Sequence, residues 1–194
     1  MDRDHSNIPP VMQQHWLKGY YYVRAAFSLI WVAAAFVLAP DDLIVAAVLL
    51  VIYPAWDAMA NYSDAQRSGG LAKNRTQAIN FFVSLVTTIA VVIAMHAGMH
   101  AVLGIYGAWA ILAGLLQLGT AIRRRKRYGA QWAMMLSGGQ SALAGGFFIH
   151  QSLQPGTPSI ANISGYAAVG AIYFLISALW LTFSELRGRA AARG

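Results

Sequence analysis

Six apolar stretches alternate along this 194-residue chain with short polar connections. A helix of roughly 20 apolar residues matches the ~30 Å hydrocarbon core of a bilayer. The pattern predicts transmembrane helices over about 20–39, 43–61, 78–95, 101–122, 130–150 and 165–186. Trp16, Tyr20, Tyr21 and Tyr22 mark the headgroup level before the first span. Residues 11–19 read as a short interfacial helix leading into it. Pro40-Asp41-Asp42 and the stretch His96 to His100 read as tight turns, the second breaking its helix at Gly98. Pro54 should kink the second span, because it lacks a backbone donor and its ring crowds the preceding turn. A polar connection over 62–77 holds Ser68-Gly69-Gly70, and a loop rich in Gly, Pro, Ser and Thr precedes the sixth span. The expected fold class is all-α, a polytopic membrane bundle of six transmembrane helices. Its three helical hairpins cover about 20–61, 78–122 and 130–186, between an N-terminal segment (1–19) and a basic C-terminal tail (188–194).

The basic residues give this bundle a direction. Arg3, Lys18 and Arg24 precede or open the first span; Arg67, Lys73 and Arg75 follow the second; Arg123 to Arg127 follow the fourth; Arg187, Arg189 and Arg193 follow the sixth. The other three connections carry no Lys or Arg. Basic loops resist translocation, so both termini are expected in the cytoplasm. Only 11% of residues are charged, against about 25% in soluble domains, so most of the surface is expected to face something other than water. Six spans of roughly 20 residues each take more than half of the chain, and no separate soluble domain is expected. The net charge of +7 does not imply nucleic acid, since the charges are short loop clusters suited to anionic lipid headgroups. Orientation and lipid contact account for all of them except Arg24. The chain has no cysteine, which excludes disulfides and thiolate chemistry. The first apolar run is too long for a signal peptide core, so an uncleaved first helix is expected.

The hairpins resemble one another. Ile52-Tyr53-Pro54-Ala55-Trp56 matches Ile105-Tyr106-Gly107-Ala108-Trp109, with Ile172-Tyr173 in the sixth span. Ser28-Leu29 matches Ser84-Leu85, with Ser137 at a comparable position. The Tyr and Trp matches give a period of about 53 residues, as tandem duplication of a hairpin would leave. Small residues predict the close helix contacts. Gly138, Ala142 and Gly146 make the fifth span the one expected to pack most tightly, and Gly107 and Gly114 share a face of the fourth. Gln117 and Gln140 should point into the bundle.

Asp57 is the main candidate for chemistry, because an ionisable side chain inside a span is costly. Asn61 and Asp64 follow at i+4 and i+7 on the same helical face, and Arg24 opens the first span from the same side. An Arg24–Asp57 pair is expected, as a structural lock or as part of a polar site with Asn61, Asp64, Asn80 and Gln117. The run from Asp57 to Gly70 resembles part of the Asp-rich motif of CDP-alcohol phosphotransferases. Their chemistry needs about four carboxylates to hold divalent metal. Only two are present and the next acidic residue is Glu185, so no catalytic residue, metal site or cofactor is expected. On the opposite side, Met95-His96 and Met99-His100 repeat at i+4, and His150 and Asp41-Asp42 should lie nearby. His96, His100 and His150 are candidates for pH sensing or weak metal binding.

Span count, repeat pattern and the runs Tyr53-Pro54-Ala55-Trp56-Asp57 and Arg67-Ser68-Gly69-Gly70 are similar to the HdeD-type acid-resistance membrane proteins. The resemblance covers residues 20–187. It implies a non-enzymatic bacterial inner-membrane protein with a role in acid or envelope stress, and carries over no catalytic residues. Two other classes compete: a small-solute or ion carrier with a polar site around Asp57, and an assembly or scaffold protein forming homo-oligomers through its fifth span.

Overall fold

The computed structural model describes residues 10–126 and 130–191. Among the described residues there are six α-helices and no strand: α1 (Pro10–Val37), α2 (Leu43–Arg67), α3 (Arg75–Ala94), α4 (Met99–Arg124), α5 (Gln131–Ser152) and α6 (Ile160–Ala191), with a 3₁₀ turn at Met95–Ala97 before α4. Expectations for residues 1–9, Arg127 and Arg193 lie outside the described residues. The segment read as an interfacial helix over 11–19 is the first part of α1, continuous with the span. Most of 62–77 is helical, and only 68–74 turn the chain. Gly69 and Gly70 make that turn at φ of +99° and +88°, a region costly for other residues. Asn74 Nδ2 closes it by donating to the carbonyls of Ser68 and Gly70 at 2.6 and 3.1 Å. Asp42 caps α2, its carboxylate accepting from the N–H groups of Ile44 and Val45 at 2.8 and 3.1 Å. Gly98, at φ +92°, breaks the helix between the third and fourth spans as expected.

Polar and apolar side chains are distributed oppositely to a soluble protein. Ile30, Val37, Leu43, Ile44, Val86, Ile93, Leu143 and Phe147 are exposed, while Asp57, Asn61, Asp64, Gln77, Asn80, Ser84 and Thr87 are buried. Such a surface suits hydrocarbon, and the chain is a helical, membrane-type protein. Five helices are long and apolar enough to cross a bilayer. The remaining one, α5, has 22 residues, about 33 Å at the helical rise, but its Gly, Ser and Gln content lowers its hydropathy. Several of those residues face α4.

The closest pairs in the bundle are α4 with α5, α1 with α6 and α2 with α3. The backbone of α1 stands further from its hairpin partner α2 and meets it through long side chains such as Phe27, stacked 4.4 Å from Trp56. Glycine explains the first pair. A Cβ on Gly107 would stand 2.7 Å from the Gly145 carbonyl oxygen, and one on Gly114 would stand 2.6 Å from that of Gly138. The two antiparallel backbones therefore touch at glycines seven residues apart on each helix. Gly138 and Gly145 form this seam. Gly146, expected in the stripe with Gly138 and Ala142, instead faces open space, because the contact follows a seven-residue and not a four-residue repeat.

Helix α2 runs without interruption through buried Pro54. Proline deprives the carbonyl four residues earlier, that of Leu50, of its N–H partner. Tyr106 of α4 supplies the missing donor, its hydroxyl lying 2.6 Å from the Leu50 oxygen. Trp31 Nε1 donates to the neighbouring Leu49 carbonyl at 2.8 Å.

Candidate functional site: the Asp57 cluster

The expected pair forms: Arg24 of α1 donates to Asp57 Oδ1 of α2. The guanidinium also donates to the Tyr20 hydroxyl at 3.0 Å and stacks 4.4 Å from the Phe174 ring centroid, a cation–π contact that helps hold a charge out of water. The second carboxylate oxygen, Oδ2, accepts from Ser84 Oγ at 2.7 Å and from Asn61 Nδ2 at 2.9 Å. An ionised carboxylate can only accept, and this orients the whole network. Asn61 must turn its amide nitrogen toward Asp57, so its oxygen points away and receives Asn80 Nδ2 at 3.0 Å. Asn80 Oδ1 is thereby left outward, buried and without a partner. Ser84 spends its proton on Asp57, so its oxygen accepts from Trp109 Nε1 at 3.0 Å.

A second pair, absent from the sequence reading, lies nearer the basic loops. Asp64 accepts from Arg124 at 3.0 Å and from Gln77 Nε2 at 3.3 Å. Arg124 belongs to the run 123–127, and reading that run as orientation and lipid contact alone is corrected by this contact. Lys18 likewise pairs with Glu185, between α1 and α6, at a more exposed position. The i+7 spacing from Asp57 put Asp64 on the inward face, and that was the available signal that it too needs a cation.

Further from the basic loops the interior carries a layer of serine–aromatic contacts. Ser28 lies 3.5 Å from the Tyr53 hydroxyl, Ser84 accepts from Trp109, and Ser141 lies 2.7 Å from the Tyr166 hydroxyl; each pair is separated by 25 residues in sequence. The serines fall at 28, 84 and 141. The position comparable to Ser28 and Ser84 is thus Ser141, not Ser137. Tyr53 aligns with Trp109, three residues off the register that the Tyr and Trp matches suggested. Beyond this layer, toward the connections that lack Lys and Arg, the interior is filled by Trp31, Leu50, Val91, Val102, Leu103, Phe148 and Ile163.

Between the serine layer and the basic loops lie two adjoining cavities. The deeper, of about 40 Å³, is lined by Arg24, Asp57, Asn80, Gln117, Gln140 and Tyr166 among others. The shallower, of about 50 Å³, shares Arg24, Asn80, Gln117 and Phe174 with it and reaches Asp64, Thr76, Thr120 and Arg124 at the basic end. Gln117 Nε2 donates to the Met134 carbonyl at 3.3 Å. All six residues of the predicted polar site, Arg24, Asp57, Asn61, Asp64, Asn80 and Gln117, therefore meet in one region.

The histidines are less coherent. His100 Nε2 lies 3.3 Å from the Gln154 carbonyl, and the Gln154 side chain lies 3.4 Å from His150 Nε2, so these two meet around one loop residue. His96 sits in the 3₁₀ turn on the far side of Gly98. Among the described residues no group of three or more His, Asp or Glu side chains has a metal-site arrangement.

Residues 82–150, from α3 through α5, match the family described as a short repeat of unknown function, DUF308. The match spans the glycine seam and the Ser84–Trp109 contact, and leaves Arg24 and Asp57 outside. No curated protein and no solved structure matches the chain.

Proposed function

We propose that this is a non-enzymatic, six-span bacterial inner-membrane protein of the HdeD-like type, built of three hairpin repeats with both termini in the cytoplasm. In this reading its bundle holds a polar site, open to the cytoplasm, for a small solute, and acid or envelope stress tolerance depends on that solute. The observation that carries the reading is the cavity beside the Asp57 cluster, continuous in its lining with a second cavity at the basic end. A cluster that served only as a lock would pack solid. Arg67, Lys73, Arg75 and the run from Arg123 support a cytoplasmic orientation of that end, where the same residues meet anionic headgroups. Three Ser–aromatic pairs of equal separation support the repeats.

The rival classes fit less well. Asp57 and Asp64 are each held by an arginine, which disfavours divalent-metal chemistry. Gly138 and Gly145 are used against α4, which removes the closest-packing face of α5 from a homo-oligomer contact.

The absence of native cysteine makes a direct test available. A single Thr120→Cys variant should react with a charged, membrane-impermeant methanethiosulfonate in inside-out vesicles and stay unmodified in right-side-out vesicles. Modification from the outer face, or from neither face, would overturn a cytoplasm-facing site.

A further inference from the structure

The charge and hydrogen-bonding state of the deeper cavity say what kind of solute it takes. Its two formal charges cancel, because Arg24 and Asp57 bind each other. Both Asp57 oxygens are occupied, Oδ1 by Arg24 and Oδ2 by Ser84 and Asn61. What remains unsatisfied is uncharged. Among the lining residues, Asn80 Oδ1 is a buried acceptor without a donor and Trp56 Nε1 is a buried donor without an acceptor. Asn80 is 7% exposed, and its orientation is dictated through Asn61 by the carboxylate, so its oxygen cannot turn away to find a partner. Burying a polar group unpaired is costly, and burying an uncompensated ion costs more.

Repetition explains why there is space here. Asp57 lies four residues after Tyr53; the residues four after Trp109 and Tyr166 are Ala113 and Gly170. Both line the cavity. A Cβ on Gly170 would meet no atom within 4 Å. One repeat supplies the ion pair while the other two supply side chains too small to fill the volume opposite it. The cavity of about 40 Å³ exceeds the roughly 10–15 Å³ that a single water needs.

We propose that this cavity binds a small neutral solute carrying both a hydrogen-bond donor and an acceptor, of the primary-amide or urea type, recognised by the uncharged polar side chains of its wall, Asn80 and Trp56 among them, and that it rejects ions. The proposal rests on the polar-site reading above and names its ligand class. Iodoacetamide and iodoacetate deliver the same carbon to a thiol and differ in charge, so they probe this selectivity in a Gln117→Cys variant, whose thiol stands at the junction of the two cavities. Relative to glutathione, the membrane-embedded thiol should favour iodoacetamide over iodoacetate by about tenfold or more, a difference of about 1.4 kcal/mol. Unreactive acetamide should slow the alkylation, whereas ammonium chloride and sodium acetate at equal concentration should not. Asn80→Ala should abolish the protection. Gly170→Leu, which fills the cavity from the wall opposite the ion pair, should abolish it independently should the Asn80 variant fold poorly.

A selectivity equal to that of glutathione, protection by the salts, or no protection by acetamide would each overturn the ligand class, the last indicating a cavity that holds water alone. Absence of any alkylation would overturn the site itself. Outer-face labelling at Thr120→Cys with acetamide protection intact would remove only the cytoplasmic opening.

Discussion

At the scale of single residues, one carboxylate organises five other side chains. Asp57 holds Arg24 directly and fixes the direction of the hydrogen bonds from Trp109 through Ser84 and from Asn80 through Asn61. Its side chain is 10% exposed and that of Arg24 14%. Removing one member leaves the other charge buried, so Asp57→Ala or Arg24→Ala should each cost about 3–5 kcal/mol. The double variant should cost less than the sum of the singles, by about 0.5–3 kcal/mol. Unfolding in mixed micelles measures all three, and strict additivity would refute the coupling. Lys18 and Glu185, 18% and 28% exposed, should couple by no more than about 1 kcal/mol. The Arg24–Asp57 pair was legible because both residues break an apolar stretch near the same depth. Arg124 was not, because it sits among four other basic residues and nothing in a run of like charges says which one turns inward. Nor was the free oxygen of Asn80, which follows from the order of bonds in three dimensions.

At the scale of elements, the helices were legible and their contacts less so. Apolar length found every helix, but α2 and α6 continue well past their apolar limits. The seam between α4 and α5 depends on which glycines meet. Gly114→Val places carbons against the Gly138 carbonyl and should destabilise the protein by about 1–3 kcal/mol or more. Gly146→Ala, with nothing within 4 Å of the added carbon, should leave the unfolding midpoint nearly unchanged. The repair of α2 at Pro54 makes a sharper prediction. Tyr106→Phe strands the Leu50 carbonyl and should cost about 1–3 kcal/mol. In a Pro54→Ala background the backbone N–H restored at that position can serve the carbonyl, and the same Tyr106→Phe change should then cost much less. An equal cost in both backgrounds would show that the hydroxyl acts elsewhere.

At the scale of the whole molecule, connectivity misleads about neighbours. Sequence repetition reads as three hairpins, and a hairpin suggests that its two helices pack together. In the bundle the second helix of each hairpin packs more closely against the first helix of the next, α2 on α3 and α4 on α5, than the hairpin partners α3 and α4 or α5 and α6 pack on each other, and α6 returns to α1 to close a ring. The helices thereby surround the polar cluster, with the three serine–aromatic pairs forming the layer above it. Closure rests on contacts such as the Tyr22 hydroxyl 3.0 Å from Thr182 Oγ1 and on Tyr21 against Phe174. Nothing in the local sequence announces it, since the partners lie 160 residues apart. A chain with a protease site inserted at Gly70 and with Tyr22→Cys and Thr182→Cys tests the ring. A short bis-maleimide should join the two thiols in the membrane, so that after proteolysis both fragments run as one band on a denaturing gel. The same treatment of a Tyr22→Cys, Ile79→Cys chain should leave two bands, because α1 and α3 are not neighbours in the ring. Two separate bands from the first chain would mean that the bundle is open between α1 and α6, and that the cavity beside Arg24 faces lipid there.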